Sequence, residues 1–134
     1  NGEAIGILGG TGCIIKVEGL YHLYYCVFED QPQRQYVCHA TSTDLTNWTK
    51  YPDETFGPDE SIYLLTDWRD PHVIWNEEEK MLVDDSFAQN QGNTKRRGCV
   101  GLCKSADLHH WTCCEPLYAP QSSMSAYECP DLFY

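Results

Sequence analysis

An all-β repeat fold is predicted by three features of this 134-residue sequence. Short apolar stretches alternate with polar turns, as in sheets of short strands. No segment has the convincing 3.6-residue apolar period of a surface helix. The segment ATSTDLTNWTK recurs 63 residues later as CKSADLHHWTC. Four-stranded sheets that repeat roughly every 40 to 60 residues are β-propeller blades, so we expect two blades and the first strand of a third.

The first unit begins with a strand at CIIKV, which turns through Glu18 and Gly19 into a second strand at YHLYYCV. The polar segment EDQPQRQ predicts the next turn and YVCHATS the third strand, before an Asp-Leu-x-x-Trp segment closes the unit. The second unit repeats this order in HVIW, KMLVDDSF, GCVGLCKS and DLHHW. A turn centred on Pro32 would place Cys26 opposite Cys38, within disulfide reach.

Two tryptophans close the two units. Trp48 and Trp111 occupy the same place in a Ser-x-Asp-Leu-x-x-Trp frame. We expect them to pack in equivalent ways in successive blades, so that truncating either one would damage folding more than binding.

A second repeat relates the starts of successive blades. Pro71 in DPHVIW returns 59 residues later as Pro130 in CPDLFY, and the same shift backwards reaches TGCIIKV. In a propeller the innermost strands line a central funnel, so residues at their corresponding ends meet around one axis. The shift relates Thr11 to Asp70 and Cys129, and it relates Gly10 to Arg69 and Glu128. We therefore expect Arg69, Asp70 and Glu128 to converge on one pocket.

The charge and hydropathy of the chain exclude two classes of partner. Nine basic and 20 acidic side chains give a formal net charge of -11, which opposes binding to nucleic acid. The cluster Lys95, Arg96 and Arg97 lies among Gly and Asn and is interpreted as a solvated turn. No apolar run approaches the roughly 18 residues of a membrane span.

Eight cysteines raise the alternatives of a metal site and of disulfides. Cys99 and Cys103 fall on one predicted strand, about 13 Å apart at roughly 3.3 Å per residue, so they cannot share one zinc ion. We expect no zinc site among these two residues and the neighbouring His109, His110, Cys113 and Cys114. Most of the cysteines occupy apolar strand positions, where a free thiol behaves as a small hydrophobe, and this favours a reducing compartment.

Two carboxylates from neighbouring blades beside an arginine are suited to recognise and cleave a sugar. Asp70, next to the permanent charge of Arg69, is expected to stay ionised and to stabilise an oxocarbenium-like transition state. Glu128 follows Tyr127 and precedes Cys129, in half-apolar surroundings that favour a protonated acid. The alternative is that Arg69 and Asp70 form an ion pair that caps a strand, and that Glu128 is a solvated loop residue.

The motif WRDPHV and, 59 residues later, YECPDLF resemble those of glycoside hydrolase family 32, the β-fructofuranosidases, invertases, levanases and inulinases. GTGCII is similar to the family's small-residue motif on the preceding blade, and HATSTDLTNWTK and CKSADLHHWT are similar to its blade-closing segments. The resemblance covers essentially all of residues 1–134. It implies a fragment of a five-bladed β-propeller catalytic domain, with the first blade and the later blades missing, and a retaining mechanism.

The resemblance also implies roles for individual residues. Asp70 would be the transition-state stabiliser, Glu128 the general acid/base, and the residues that bind substrate would be Arg69, Asp70, Thr11, Gly12 and Cys13. The family's nucleophile is an Asp in an Asn-Asp-Pro motif on the first blade, and this chain has no such motif. These 134 residues alone are therefore expected to be inactive.

Three residues depart from the family's pattern. Cys13 stands where the family has Ser, and Asp84 and Asp85 stand where it generally has small or less acidic residues. The two aspartates either line the edge of the pocket or are solvated at the end of a strand.

The expected function is hydrolysis of β-fructofuranosidic bonds in sucrose or fructans, without a metal or organic cofactor, because two carboxylates and water suffice. Two alternatives stay open. One is a furanosidase of different sugar preference on the same fold, and the other is a propeller that holds carbohydrate without cleaving it.

Overall fold

The computed structural model describes residues 10–76, 78, 97–120 and 129 with their side chains, and residues 8–9 and 81–90 by their backbone alone. This part of the chain forms the strands β1 Leu8–Val17, β2 Leu20–Glu29, β3 Arg34–Ser42, β4 Thr49–Phe56, β5 Tyr63–Asn76, β6 Met81–Asn90, β7 Gly98–Ser105 and β8 Thr112–Tyr118. Within the described residues no helix occurs, so none is long and apolar enough to cross a membrane.

The strands form two four-stranded antiparallel sheets, in the orders β1-β2-β3-β4 and β5-β6-β7-β8. We call these sheets blade 1 and blade 2. Each blade is a meander, because every strand pairs with the next one along the chain. The first strand of blade 2, β5, contacts β1, β2 and β3 of blade 1. The predicted order of elements, two successive four-stranded units, is confirmed.

The core lies between the two blades. Burial alternates along β2, where His22, Tyr24 and Cys26 are buried and the residues between them are half-buried, because successive side chains of a strand point to opposite faces. The same alternation buries Cys99 and Cys103 on β7. The buried faces of blade 1 and blade 2 together form one apolar cluster, which consists of Tyr24, Val37, Tyr63, Trp68, Val73, Cys99, Cys103 and Leu108.

The predicted pairing of Cys26 with Cys38 is wrong by one residue. The β2–β3 hairpin closes with Glu29 opposite Arg34, so its loop has four residues and its centre falls between Gln31 and Pro32 rather than on Pro32. Cys26 therefore lies opposite Val37, and Cys38 lies opposite Tyr25. A slip of one residue changes every cross-strand partner, and neither cysteine forms a disulfide.

The two blade-closing loops have the same hydrogen bonds, as their shared sequence predicts. The hydroxyl oxygen of Ser42 accepts from the N–H groups of Asp44 and Leu45, at 3.2 and 2.9 Å, and the hydroxyl of Ser105 does the same 63 residues later, at 3.3 and 3.0 Å. The leucines Leu45 and Leu108 both have positive φ, 63° and 70°. The repeated motif is thus a repeated loop conformation.

The equivalent side chains nevertheless pack differently. Trp111 packs against the core cluster and stacks on Phe56, with ring centroids 5.8 Å apart. Trp48 is also half-buried, and its indole N–H donates to the carbonyl of Leu45 at 3.2 Å. Leu108 is 7% exposed and its counterpart Leu45 is 48% exposed. Leu108 is covered because it faces blade 1, whereas no described residue covers Leu45 in that way.

Candidate functional site

Two β-bulges mark the candidate site. Between Gly9 and Gly12, two residues of β1 oppose one residue of β2, and between Arg69 and His72, two residues of β5 oppose one residue of β6. A bulge bends its strand and changes the direction of its side chains. Thr11 and Asp70, which the 59-residue repeat relates, lie within these two bulges.

Asp70 is the centre of the contacts between the blades at this point. The hydroxyl of Thr11 donates to Oδ1 of Asp70, and the backbone N–H of Cys129 donates to Oδ2 at 3.2 Å. The thiol of Cys129 lies 3.9 Å from the same oxygen. Thr11 and Cys129, which the repeat makes equivalent to Asp70, therefore both contact Asp70. The convergence of Arg69, Asp70 and Glu128 on one pocket stays a prediction, because Glu128 lies outside the described residues.

The backbone at Asp70 and Cys129 is in an uncommon conformation. Their φ angles are 59° and 49°, in the left-handed region that residues other than glycine rarely adopt. Such a conformation costs on the order of 1–3 kcal/mol and persists only where the surrounding structure holds it. The hydrogen bonds to Asp70 supply part of that support and direct its carboxylate towards the strands of the neighbouring blades.

Glycine is required at two positions of β1. A Cβ atom on Gly12 would collide with the carbonyl oxygen of Tyr24, and one on Gly10 would collide with the sulfur of Cys26. The buried thiol of Cys26 thus lies directly beneath the start of the bulge, and its burial raises its pKa. Gly12, predicted to bind substrate, is exposed, and its lack of a side chain lets β1 approach β2 closely.

Arg69 forms its observed salt bridge with Asp67, with Nη1 3.1 Å from Oδ1, and both side chains are half-buried. Residues two apart on a strand share a face, which makes Asp67 its neighbour, whereas the bulge turns Asp70 towards Thr11. Trp68, between Asp67 and Arg69, is held from blade 1, because the side-chain oxygen of Gln35 accepts from its N–H at 2.8 Å. Asp67 and Gln35 were not among the predicted site residues.

Cys13 links the two blades. Its half-buried sulfur accepts from the N–H of Val73 at 3.1 Å, and its side chain packs against the core cluster. The residue that departs from the family's usual Ser therefore still acts as a hydrogen-bond acceptor here, and it holds β1 against β5 next to the bulge.

The remaining predicted residues lie outside the part that the structure describes. These are Glu128 and the side chains of Asp84 and Asp85. A shallow cavity of about 430 Å³ borders the site, since its wall includes Phe28, whose ring lies against Gly10. Arg34, Gln35 and Thr66 are also part of the wall. A groove with charged and polar groups in its wall is suited to a hydroxyl-rich ligand.

The fold and the site together define a class of protein, a β-propeller with a carboxylate held where its successive blades meet. The chain belongs to glycosyl hydrolases family 32, because the pattern of that family's N-terminal domain matches residues 56–134. No curated protein matches the sequence significantly.

Solved structures share this fold. The Bombyx mori GH32 β-fructofuranosidase BmSUC1 superposes with a TM-score of 0.72 and 24% identity, over 92% of this chain and 26% of that enzyme. A mutant of that enzyme in complex with sucrose has a TM-score of 0.67, with 24% identity over 90% of this chain and 26% of the mutant. A glycosyl hydrolase from Bacteroides ovatus has a TM-score of 0.67, with 18% identity over 88% of this chain and 33% of that protein.

These superpositions confirm the predicted fold class, all-β and part of a β-propeller. The chain spans about a quarter of the length of the Bombyx mori enzyme.

Proposed function

We infer that this chain is part of a retaining glycoside hydrolase that cleaves β-fructofuranosidic bonds, and that Asp70 stabilises the transition state. The observation that carries this inference is the carboxylate of Asp70, which Thr11 and Cys129 hold at the junction of successive blades. Membership of family 32 supports the reaction class. The β-fructofuranosidase relatives, one of them in complex with sucrose, support a small fructoside as substrate.

The contacts of Asp70 suit it to this role. A carboxylate has about four acceptor positions, and the hydroxyl of Thr11 and the backbone N–H of Cys129 occupy two of them. The remaining positions can accept hydrogen bonds from vicinal sugar hydroxyls. Because the carboxylate is already oriented by the protein, its negative charge can stabilise the developing oxocarbenium ion without first reorganising.

The other catalytic groups follow from the family. Glu128 is the general acid/base, which protonates the leaving oxygen and then activates water. Arg69, held by Asp67, binds substrate beside Asp70, and Thr11, Gly12 and Cys13 form the wall contributed by β1. The nucleophile comes from a part of the protein outside these 134 residues, so the chain alone is inactive.

The chain is therefore a part of a larger propeller domain in a parent protein. The exposure of Leu45 supports this proposal. In blade 2 the equivalent Leu108 is covered, and its carbonyl accepts from the hydroxyl of Tyr24 in the preceding blade at 2.8 Å. A blade that packed on blade 1 in the same way would cover Leu45.

The test is fructose release from sucrose by the parent protein and its variants. Asp70→Asn should lower kcat by about 10²–10³-fold, the loss typical of one preorganised transition-state contact. Asp53→Asn makes the same chemical change at an exposed position of β4 and should leave kcat unchanged. Equal urea midpoints for the two variants would show that the loss is not an unfolding effect.

Two outcomes would overturn the proposal. Wild-type turnover by Asp70→Asn would remove Asp70 from the reaction. A parent protein that binds fructosides in calorimetry but releases no fructose would be a carbohydrate-binding propeller. A panel of furanosides, run on the same preparation, would reveal a different sugar preference.

A further inference from the structure

A cluster of three histidines and a glutamate lies between strands β2, β3 and β4 of blade 1 and the closing loop of blade 2. His22 is on β2, His39 on β3 and Glu54 on β4, while His109 comes from the β7–β8 loop. None of these residues is used in the proposed reaction. The cluster therefore requires its own explanation.

The nitrogen and oxygen atoms of this cluster converge on one point. Nδ1 of His39 lies 2.6 Å from Oε2 of Glu54, and Nδ1 of His109 lies 2.9 Å from Oε1 of the same carboxylate. The ligand atoms of His39, Glu54 and His109 all lie within 4.8 Å of one another. The side chain of His39 is 1% exposed, that of Glu54 21% and that of His109 39%. The point is thus enclosed by blade 1 and open on the side of His109.

We propose that His39, Glu54 and His109 bind a divalent transition-metal ion, with zinc as the best chemical fit. Two imidazoles and one carboxylate are a common three-residue zinc ligand set, with water in the fourth position. Magnesium and calcium are poor fits, because they require six or more oxygen ligands and only one carboxylate is present.

Binding of zinc would change the spacing of the ligand atoms. Bonds of about 2.0–2.1 Å at tetrahedral angles place ligand atoms roughly 3.3 Å apart. The nitrogen–oxygen distances of 2.6 and 2.9 Å would therefore lengthen by about 0.7 and 0.4 Å, and the three ligand atoms, which lie within 4.8 Å of one another, would come to a common spacing. The shorter distance joins Glu54 to the buried His39, so Glu54 would make that movement, and His109 on its exposed loop would adjust the longer one.

The rings around His39 hold it in the required orientation. Tyr24 and Tyr51 stack on its two sides, with ring centroids 4.7 and 5.2 Å away. Its second nitrogen, Nε2, lies 3.0 Å from Nδ1 of His22. When Nδ1 of His39 binds the metal, Nε2–H donates to His22, and an outer hydrogen bond of this kind fixes the tautomer and ring direction of a ligating histidine.

The ion would also connect the two blades. His39 and Glu54 belong to blade 1, whereas His109 belongs to blade 2. Without metal, Glu54 can accept a hydrogen bond from each histidine, which is a metal-free way to satisfy the same groups. The two arrangements differ in one measurable property, the response of the protein to zinc.

The test is titration of the metal-stripped parent protein with zinc chloride, followed by calorimetry and thermal unfolding. We expect one ion per chain at this site and a higher unfolding temperature with zinc, since a ligand that binds only the native state stabilises it. Magnesium chloride should have neither effect. His109→Ala should weaken zinc binding by at least about 100-fold, the upper end of what loss of a supporting outer residue causes.

The matched control is the neighbouring histidine. His110→Ala changes the adjacent residue, whose side chain is 89% exposed and pairs with Asp107 rather than Glu54. It should bind zinc like the wild type. In case His109→Ala folds poorly, cobalt(II) supplies a test on the wild type: four-coordinate cobalt should give visible absorption bands that zinc removes. Wild-type protein with no zinc response, no zinc-displaceable cobalt bands, or unchanged zinc affinity in a folded His109→Ala variant would overturn the proposal.

Discussion

Replacing Tyr24 by phenylalanine removes a single oxygen atom from the interface between the blades. The side chain of Tyr24 is fully buried, and its hydroxyl donates to the carbonyl of Leu108 at 2.8 Å. The ring itself would remain, stacked on His39 and in edge contact with Trp111, at centroid distances of 4.7 and 5.4 Å. The apolar burial is therefore preserved, and the change removes the hydrogen bond from Tyr24 to Leu108.

The expected loss of stability is about 1–3 kcal/mol, because the buried carbonyl of Leu108 is left without the donor that satisfied it. For an m-value of about 2 kcal/mol/M in urea, this lowers the unfolding midpoint by roughly 0.5–1.5 M. The assay is urea unfolding of the parent protein and the variant, followed by circular dichroism. An unchanged m-value would show that the variant altered stability rather than the extent of unfolding.

The control is Tyr21→Phe, which removes the same atom at a half-buried position of the same strand. There the hydroxyl accepts from the amino group of Lys16 at 3.2 Å, in a solvent-exposed contact. Its loss should change stability by no more than about 0.5 kcal/mol. If the two variants had equal midpoints, the Tyr24 hydroxyl would not couple the blades and the reasoning would fail.

Three further predictions concern the site and the core. Glu128→Gln in the parent protein should slow sucrose hydrolysis by about 10²–10⁴-fold. Hydrolysis of aryl fructosides should be slowed much less, because their leaving groups need no protonation. Equal losses on both substrates would contradict the acid/base role. Trp111→Ala should lower the free energy of unfolding in urea by about 2–4 kcal/mol and Trp48→Ala clearly less, because Trp111 packs against the core cluster. The opposite order would show that the loop contacts, not the core contacts, set the size of the loss. Cys103 and Cys113 lie directly opposite each other, with their sulfurs 3.1 Å apart. Oxidised glutathione should therefore convert their two thiols to a disulfide and be reduced to two glutathione molecules. Peptide mapping of the Cys99→Ser variant should find this bridge, and a bridge to any other cysteine would count against the prediction.

The sequence alone determined the features that depend on local repetition. A repeated Ser-x-Asp-Leu-x-x-Trp segment forms repeated hydrogen bonds between residues two and three apart, so Ser42 and Ser105 adopt the same role in both blades. The 59-residue shift also located the meeting point of Thr11, Asp70 and Cys129, because equivalent positions in a radial repeat lie around one axis.

Only the tertiary structure decided which side chains meet across strands and between blades. The β2–β3 hairpin has a four-residue loop, so its register differs by one residue from a turn centred on Pro32, and Cys26 does not face Cys38. Arg69 pairs with Asp67 because the bulge turns Asp70 away from the face that those two residues share. His109 contacts Glu54 across 55 residues and two blades, so the sequence pattern relates His109 only to the nearby cysteines. Such contacts depend on the register and packing of several strands at once, which no local pattern encodes.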